Sequence, residues 1–111
     1  MTIYIVQGRY TGDAVRGMMN KSENREEVVR KLIEKVGGKL HGYYVTFGEY
    51  DFLIVSEAPS EEACLTTLIT AAAGGSVTNL KTTVAVTMAQ AMKAFKSAKD
   101  VGRSFRSAGT G

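Results

Sequence analysis

The sequence predicts an α+β fold, a ferredoxin-like βαββαβ sandwich with a four-stranded antiparallel sheet and a helical tail. Three observations predict it. Strand-like and helix-like stretches alternate in the order β-α-β-β-α-β. The two middle strands are separated only by a short glycine-bearing turn, so they form a hairpin. Each of the two crossover helices ends on a glycine pair, Gly37-Gly38 and Gly74-Gly75. Two right-handed crossovers and one hairpin then give the split βαβ arrangement, with strand order 4-1-3-2 and both helices on one face.

The elements follow in chain order. Residues 2–10 are rich in Ile, Tyr and Val and read as the first strand, ended by Thr11-Gly12-Asp13. A short helical piece carries Ala14, Val15, Met18 and Met19 as its apolar positions. The next helix, for which Ser22 is the candidate cap, repeats Val28, Val29, Leu32, Ile33 and Val36 at helical spacing. Glu26, Glu27, Arg30, Lys31, Glu34 and Lys35 fill its other face. Residues 40–47 and 50–57 form the hairpin, with Gly48-Glu49 as a two-residue type II′ turn that places Gly48 at positive φ. Pro59 breaks the strand, and Ser60 caps a second helix whose first turn holds Glu61 and Glu62, where acids complement the helix dipole. Its apolar stripe is Cys64, Leu65, Leu68, Ile69 and Ala72. Residues 76–86 form the fourth strand. From Met88 to about residue 103 the chain is helix-like and rich in Ala, Met and Lys, and residues 107–111 are expected to fray. The division is thus a domain over 1–87 and a basic helical tail over 88–111.

Composition limits the classes of function. The chain has 111 residues, enough for one domain. With 44% apolar and 23% charged residues it has the balance of a globular chain rather than a disordered one. No apolar run reaches the roughly 18–20 residues of a membrane span. The start, Met1-Thr2-Ile3-Tyr4, has neither the basic nor the apolar region of a signal peptide, and one cysteine forms no intrachain disulfide, so a cytoplasmic location is expected. The net charge of +3 is carried by the tail: from position 93 onward, Lys93, Lys96, Lys99, Arg103 and Arg106 face a single acid, Asp100. No phosphate-binding glycine spacing occurs, since Gly8, Gly12 and Gly17 fit neither a dinucleotide nor a P-loop motif. With one histidine and one cysteine, no metal site of ordinary ligands is expected, and no cofactor.

Register places the polar candidates. A two-residue turn pairs Phe47 with Tyr50, Val45 with Phe52 and Tyr43 with Ile54, and these share the helix-side face. The opposite face then carries Leu40, Gly42, Tyr44, Thr46, Asp51, Leu53 and Val55. The first strand adds Ile3, Ile5, Gln7 and Arg9. Such a face is too apolar to stay wet, and a second copy across a two-fold axis is the simplest cover. Strand order brings Arg9 towards Asp51, with Lys81 nearby. Gln7, Arg9, Tyr44, Thr46 and Asp51 are therefore the candidate ligand-binding set, and Asp51 or Tyr44 the candidate acid–base group. An Arg9–Asp51 pair that only closes the interface is the preferred reading, because buried charges are usually paired whatever the function. His41 is expected on the Tyr43 face at the periphery, and Cys64 as a buried small hydrophobe.

The residues Gly37-Gly38-Lys39-Leu40, Tyr44 four positions before Gly48, the run Gly48-Glu49-Tyr50-Asp51, and Glu57-Ala58-Pro59 together resemble the GYD-domain family. The likeness spans residues 1–87. That family is similar to the dimeric α+β-barrel proteins, in which two ferredoxin-like units pack sheet to sheet. The resemblance implies a homodimer, or a multiple of one, that binds a small ligand or a protein partner at the sheet face. Members of the wider group include small monooxygenases, isomerases, haem-binding enzymes and ligand sensors, so fold alone does not choose a reaction. Two alternatives stand beside the binding protein. One is a cofactor-free monooxygenase-like or isomerase-like enzyme using Asp51 or Tyr44. The other is nucleic-acid or acidic-surface binding through the tail, although basic residues do not interleave with the sheet aromatics as single-strand RNA binding would need.

Overall fold

The computed structural model describes residues 1–109; the last two residues of the expected frayed end lie outside the described residues. The elements are β1 (Thr2–Tyr10), α1 (Gly12–Asn20), α2 (Arg25–Lys35), β2 (Lys39–Val45), β3 (Phe52–Ala58), α3 (Glu61–Ala73), β4 (Val77–Ala85) and α4 (Met88–Val101), followed by a 3₁₀ turn over Gly102–Ser104. One antiparallel sheet has the order β2-β3-β1-β4, as the split βαβ topology requires.

Local chemistry explains the boundaries. Thr11 caps α1 by accepting the Ala14 N–H, and Ser60 caps α3 by accepting the Ala63 N–H. α2 is capped by Asn24 rather than Ser22: its side chain accepts from the Glu27 N–H, three residues on. α2 closes through Gly37, whose N–H donates to Glu34, while the Gly38 N–H donates to Ile33, the double bond of a Schellman stop.

Strand alternation sorts the core. Positions 52, 54, 56 and 58 of β3 are buried against the helices, with Tyr4 and Val6 beside them on β1. Ile33, Leu40, Phe52, Ile54 and Val6 make one cluster; Tyr4, Ala58, Ala63 and Cys64 make the other. Cys64 is buried as expected, and burial raises its thiol pKa, keeping it neutral.

Four expectations about packing are corrected. Leu40 lies in the core, not on the open face, because the β2–β3 register shifts between Leu40 and Gly42. His41 is the extra residue of that bulge; it does not share the Tyr43 face but brings Nε2 to 3.2 Å from the carboxylate of Glu57, whose β3 position faces away from the helices. Val45 and Phe47 are exposed, since the hairpin end runs past the helices that would cover it. Leu65 and Ile69 point outward from α3, whose inner contacts come from Ala63, Cys64 and Leu68.

Candidate functional site

The hairpin end, where the candidate residues cluster, starts from ordinary ladder pairing. Val45 lies opposite Phe52, Tyr43 opposite Ile54 and Tyr44 opposite Leu53, the expected register. The two-residue turn does not form. Strand structure stops at Val45 and resumes at Phe52, leaving a six-residue loop over 46–51. Gly48 does adopt a positive φ, +151°, but this is far from the roughly +60° of a type II′ turn. The physical reason lies in the hydrogen bonds. Thr46 uses its N–H on the Asp51 carbonyl (2.8 Å) and its hydroxyl on the Tyr50 carbonyl (2.7 Å), while the Asp51 N–H turns to the Gly8 carbonyl of β1 (2.8 Å). The chain after Gly48 is thus held both to the end of β2 and to β1, in a wider loop than a two-residue turn.

Asp51 completes that junction. Its Oδ2 accepts the backbone N–H of Tyr10 at 2.9 Å, at the last residue of β1. Strand order brings Asp51 to the end of β1 as expected, but the bond formed is with the main chain. Among the described residues no ion pair joins Asp51 to Arg9, and the expected lock is replaced by a carboxylate that caps a strand end. Arg9 is exposed, with Thr78 opposite it on β4.

The other candidates lie along the face without helices. Gln7 sits between Leu53 and Lys81 in the β3-β1-β4 row, half-exposed. Tyr44 stands next to Leu53 on β2 with its ring over Gly42: a Cβ at Gly42 would lie 2.8 Å from a ring carbon. Gln7 and Tyr44 therefore flank Leu53 in one row. Thr46 and Asp51 are occupied at the hairpin end. Ile3, Ile5, Leu53 and Val55 of the same face are each half-exposed, a continuous apolar strip that no helix of the chain covers.

A second concavity lies on the helix side. α2 and α3 stand apart over the sheet, and between them is a cavity of about 1040 Å³. Its floor is Val6, Phe52 and Ile54; its walls include Val29, Ile33, Leu68 and Ala71. Polar side chains line it from Tyr10, Tyr43, Ser56 and Thr67, and charged ones from Asp13, Lys21, Glu23, Arg25, Lys31, Lys35 and Glu57. The Tyr10 and Tyr43 hydroxyls are hydrogen-bonded to each other, and both rings pack on Phe52, with centroids 5.2 and 6.0 Å away. Burial, reinforced by the bond to Tyr10, pushes the Tyr43 pKa above the ordinary tyrosine value, so the phenol is neutral at physiological pH. The candidate set did not include these two tyrosines. Alternation alone puts Tyr10 and Tyr43 on the helix side; the distance between the helices, which opens the space they line, has no signature in the sequence. Neither Asp51 nor Tyr44 lines this cleft. Among the described residues no cluster of three or more His, Cys, Asp or Glu is placed to hold a metal ion, and no described helix is long and apolar enough to cross a membrane.

Comparison with known proteins agrees with this architecture. The chain is similar in structure to TTHA0845 from Thermus thermophilus, with a TM-score of 0.51 and 16% identity over 78% of this chain and 95% of that one. It is also similar to FFRP-DM1, with a TM-score of 0.50 and 19% identity over 78% of this chain and all of that one. At such identities the likeness concerns the fold alone. No curated protein matches the chain. The model of the GYD domain matches residues 4–95, from β1 to just past the middle of α4 and so beyond residue 87. With the glycine-led hairpin end and the ferredoxin-like sheet, that match places the chain in the GYD-domain family.

Proposed function

We propose that the chain is a small homo-oligomeric binding protein: a second copy covers the open sheet face, and the cleft between α2 and α3 holds a small, largely apolar ligand. The observation that carries this reading is the cleft of about 1040 Å³. Ligand sites are concave, mostly apolar, and marked by a few placed polar groups. The neutral Tyr43 phenol, Ser56 and Thr67 supply such groups beside the apolar floor. The strip of Ile3, Ile5, Leu53 and Val55 supports the pairing of two sheets, since a one-sided sheet buries its second apolar face against another layer. In that pair Gln7, Arg9 and Tyr44 contribute a polar patch between the two faces. The enzymatic alternative draws less from the geometry, because the Asp51 carboxylate is engaged with the main chain and Tyr44 stands away from the cleft.

Titration with N-phenyl-1-naphthylamine, an uncharged apolar fluorescent probe, tests the cleft. Saturable binding near one probe per chain is expected. Thr67→Trp, which puts an indole into the cleft from a half-exposed helix position, should abolish it while the circular dichroism is kept. Binding that never saturates, or that is indifferent to Thr67→Trp, refutes the cleft as a ligand site.

A further inference from the structure

α4 stands off the body. Every residue of it except Ala91 is exposed, and the radius of gyration is 18.3 Å against about 13 Å for a compact chain of this length. Met88, Met92 and Phe95 lie along one side of it at i, i+4 and i+7 and are 54 to 71% exposed. The body carries an unfilled surface of matching kind. Tyr4 is a core residue and pairs with Val84, so Val84 faces the helix side, yet α3 does not cover it: Val84 is 63% exposed. α3 turns Cys64 and Leu68 to the core and Thr67 and Ala71 to the cleft. At 3.6 residues per turn its remaining flank carries Glu61, Leu65, Ile69 and Ala72, beside the uncovered strand. Val84 as floor and Leu65 and Ile69 as flank form an uncovered apolar shelf.

We propose that this shelf receives α4 of a second copy, antiparallel to α3. The two stripes have equal span, from 61 to 72 on one helix and from 88 to 99 on the other, although the single three-residue step falls last on α3 and second on α4. On α3, Glu61, Leu65, Ile69 and Ala72 are four, four and three residues apart. On α4, read backwards, Lys99, Phe95, Met92 and Met88 are four, three and four apart. Antiparallel docking sets Lys99 against Glu61, Phe95 against Leu65, Met92 against Ile69 and Met88 against the small Ala72. The flanking Lys96 approaches the acidic first turn of α3 as well. The chain's own α4 does not satisfy this pattern. β3 and β4 both run antiparallel to β1 and hence parallel to each other, so the connecting α3 runs opposite to β4. An α4 folded back from the end of β4 would run alongside α3 in the same sense, placing Met88 at Glu61 and Lys99 at Ala72. Its start is fixed by Thr87, which caps it in extended conformation through a capping box with Gln90, two residues after β4 ends. The shelf lies on the opposite side of the sheet from the Leu53 strip, so arm exchange joins sheet-paired units into larger assemblies.

Disulfide trapping in the full chain tests the exchange. In a Cys64→Ala background, Leu65→Cys and Phe95→Cys alter two exposed positions, and unchanged circular dichroism will show the fold intact. Oxidation should give covalent multimers on a non-reducing gel. An intrachain disulfide, or none, overturns the proposal. Independently, Lys99→Glu should weaken the arm-dependent association step in sedimentation by on the order of threefold to tenfold, and adding Glu61→Lys should restore it. Equal association by all three proteins also overturns it. Leu53→Glu acts on the other face, so a failure of the sheet pairing is read separately.

Discussion

Asp51→Ala removes one defined bond, and its cost can be worked from the structure. The Tyr10 N–H loses its acceptor at 2.9 Å. A hydrogen bond to a charged group contributes about 1.5–3 kcal/mol when buried. Asp51 and Tyr10 are both half-buried, so water recovers part of this, and a loss of about 1–2 kcal/mol is expected. Asp51→Asn keeps an acceptor oxygen in place and should cost about half as much. Arg9→Ala should change stability by less than about 0.5 kcal/mol, because Arg9 is exposed and not paired with Asp51. Urea unfolding at fixed protein concentration reads all three. With a slope of about 1–2 kcal/mol/M for a domain of this size, the Asp51→Ala midpoint should fall by roughly 1 M. If Arg9→Ala and Asp51→Asn each cost as much as Asp51→Ala, the charge pair holds the junction and the strand-cap account is wrong. If Asp51→Ala leaves the midpoint unchanged but removes a bound ligand, the carboxylate serves a site.

Other perturbations follow from the same contacts. Leu53→Glu puts a charge in the middle of the apolar strip and should reduce the sedimenting mass or cause aggregation; a well-folded protein of one size in both wild type and variant would refute sheet pairing. Gly8→Ala would place a Cβ 2.6 Å from a Phe52 ring carbon and 2.8 Å from a Leu80 methyl, lowering stability by about 1–3 kcal/mol through overpacking. Gly48→Ala meets no atom within 4 Å, yet its φ of +151° resists a side chain, so about 1 kcal/mol should be lost through the backbone alone; calorimetry showing no loss at either glycine would contradict the geometry. Tyr43 ionises at higher pH folded than unfolded, so its contribution is complete below about pH 10, where the unfolded phenol titrates, and is lost as pH rises through the folded value. Tyr43→Phe should flatten that alkaline decline, and an unaltered pH profile would show that the phenol is not held neutral by the fold.

Local sequence pattern set the elements, their order and the β2–β3 register from Tyr43 to Val45. Period-2 and period-3.6 patterns, glycine stops and Ser60 are local signals, and local hydrogen bonding obeys them: β3 alternates as read, and Ser60 caps α3. The hairpin residues also carried the family, since the run Gly48-Glu49-Tyr50-Asp51 builds a junction with its own main chain. What the tertiary structure decided turns on non-local contact. The bulge at His41 sends Leu40 to the core, because one extra residue inverts the side chains beyond it on the side away from the hairpin end, and no composition signal marks it. The partner of Asp51 is the Tyr10 N–H rather than Arg9, since a strand end leaves a main-chain donor open that residue charges do not advertise. The stripe of α3 was legible as apolar, but only packing divided it into a core side and an outward side with Leu65 and Ile69. The separation of α2 from α3, and with it the cleft lined by Tyr10 and Tyr43, is set by how far two helices stand apart over a shared sheet; that distance depends on all the side chains between them at once and is written in no single motif.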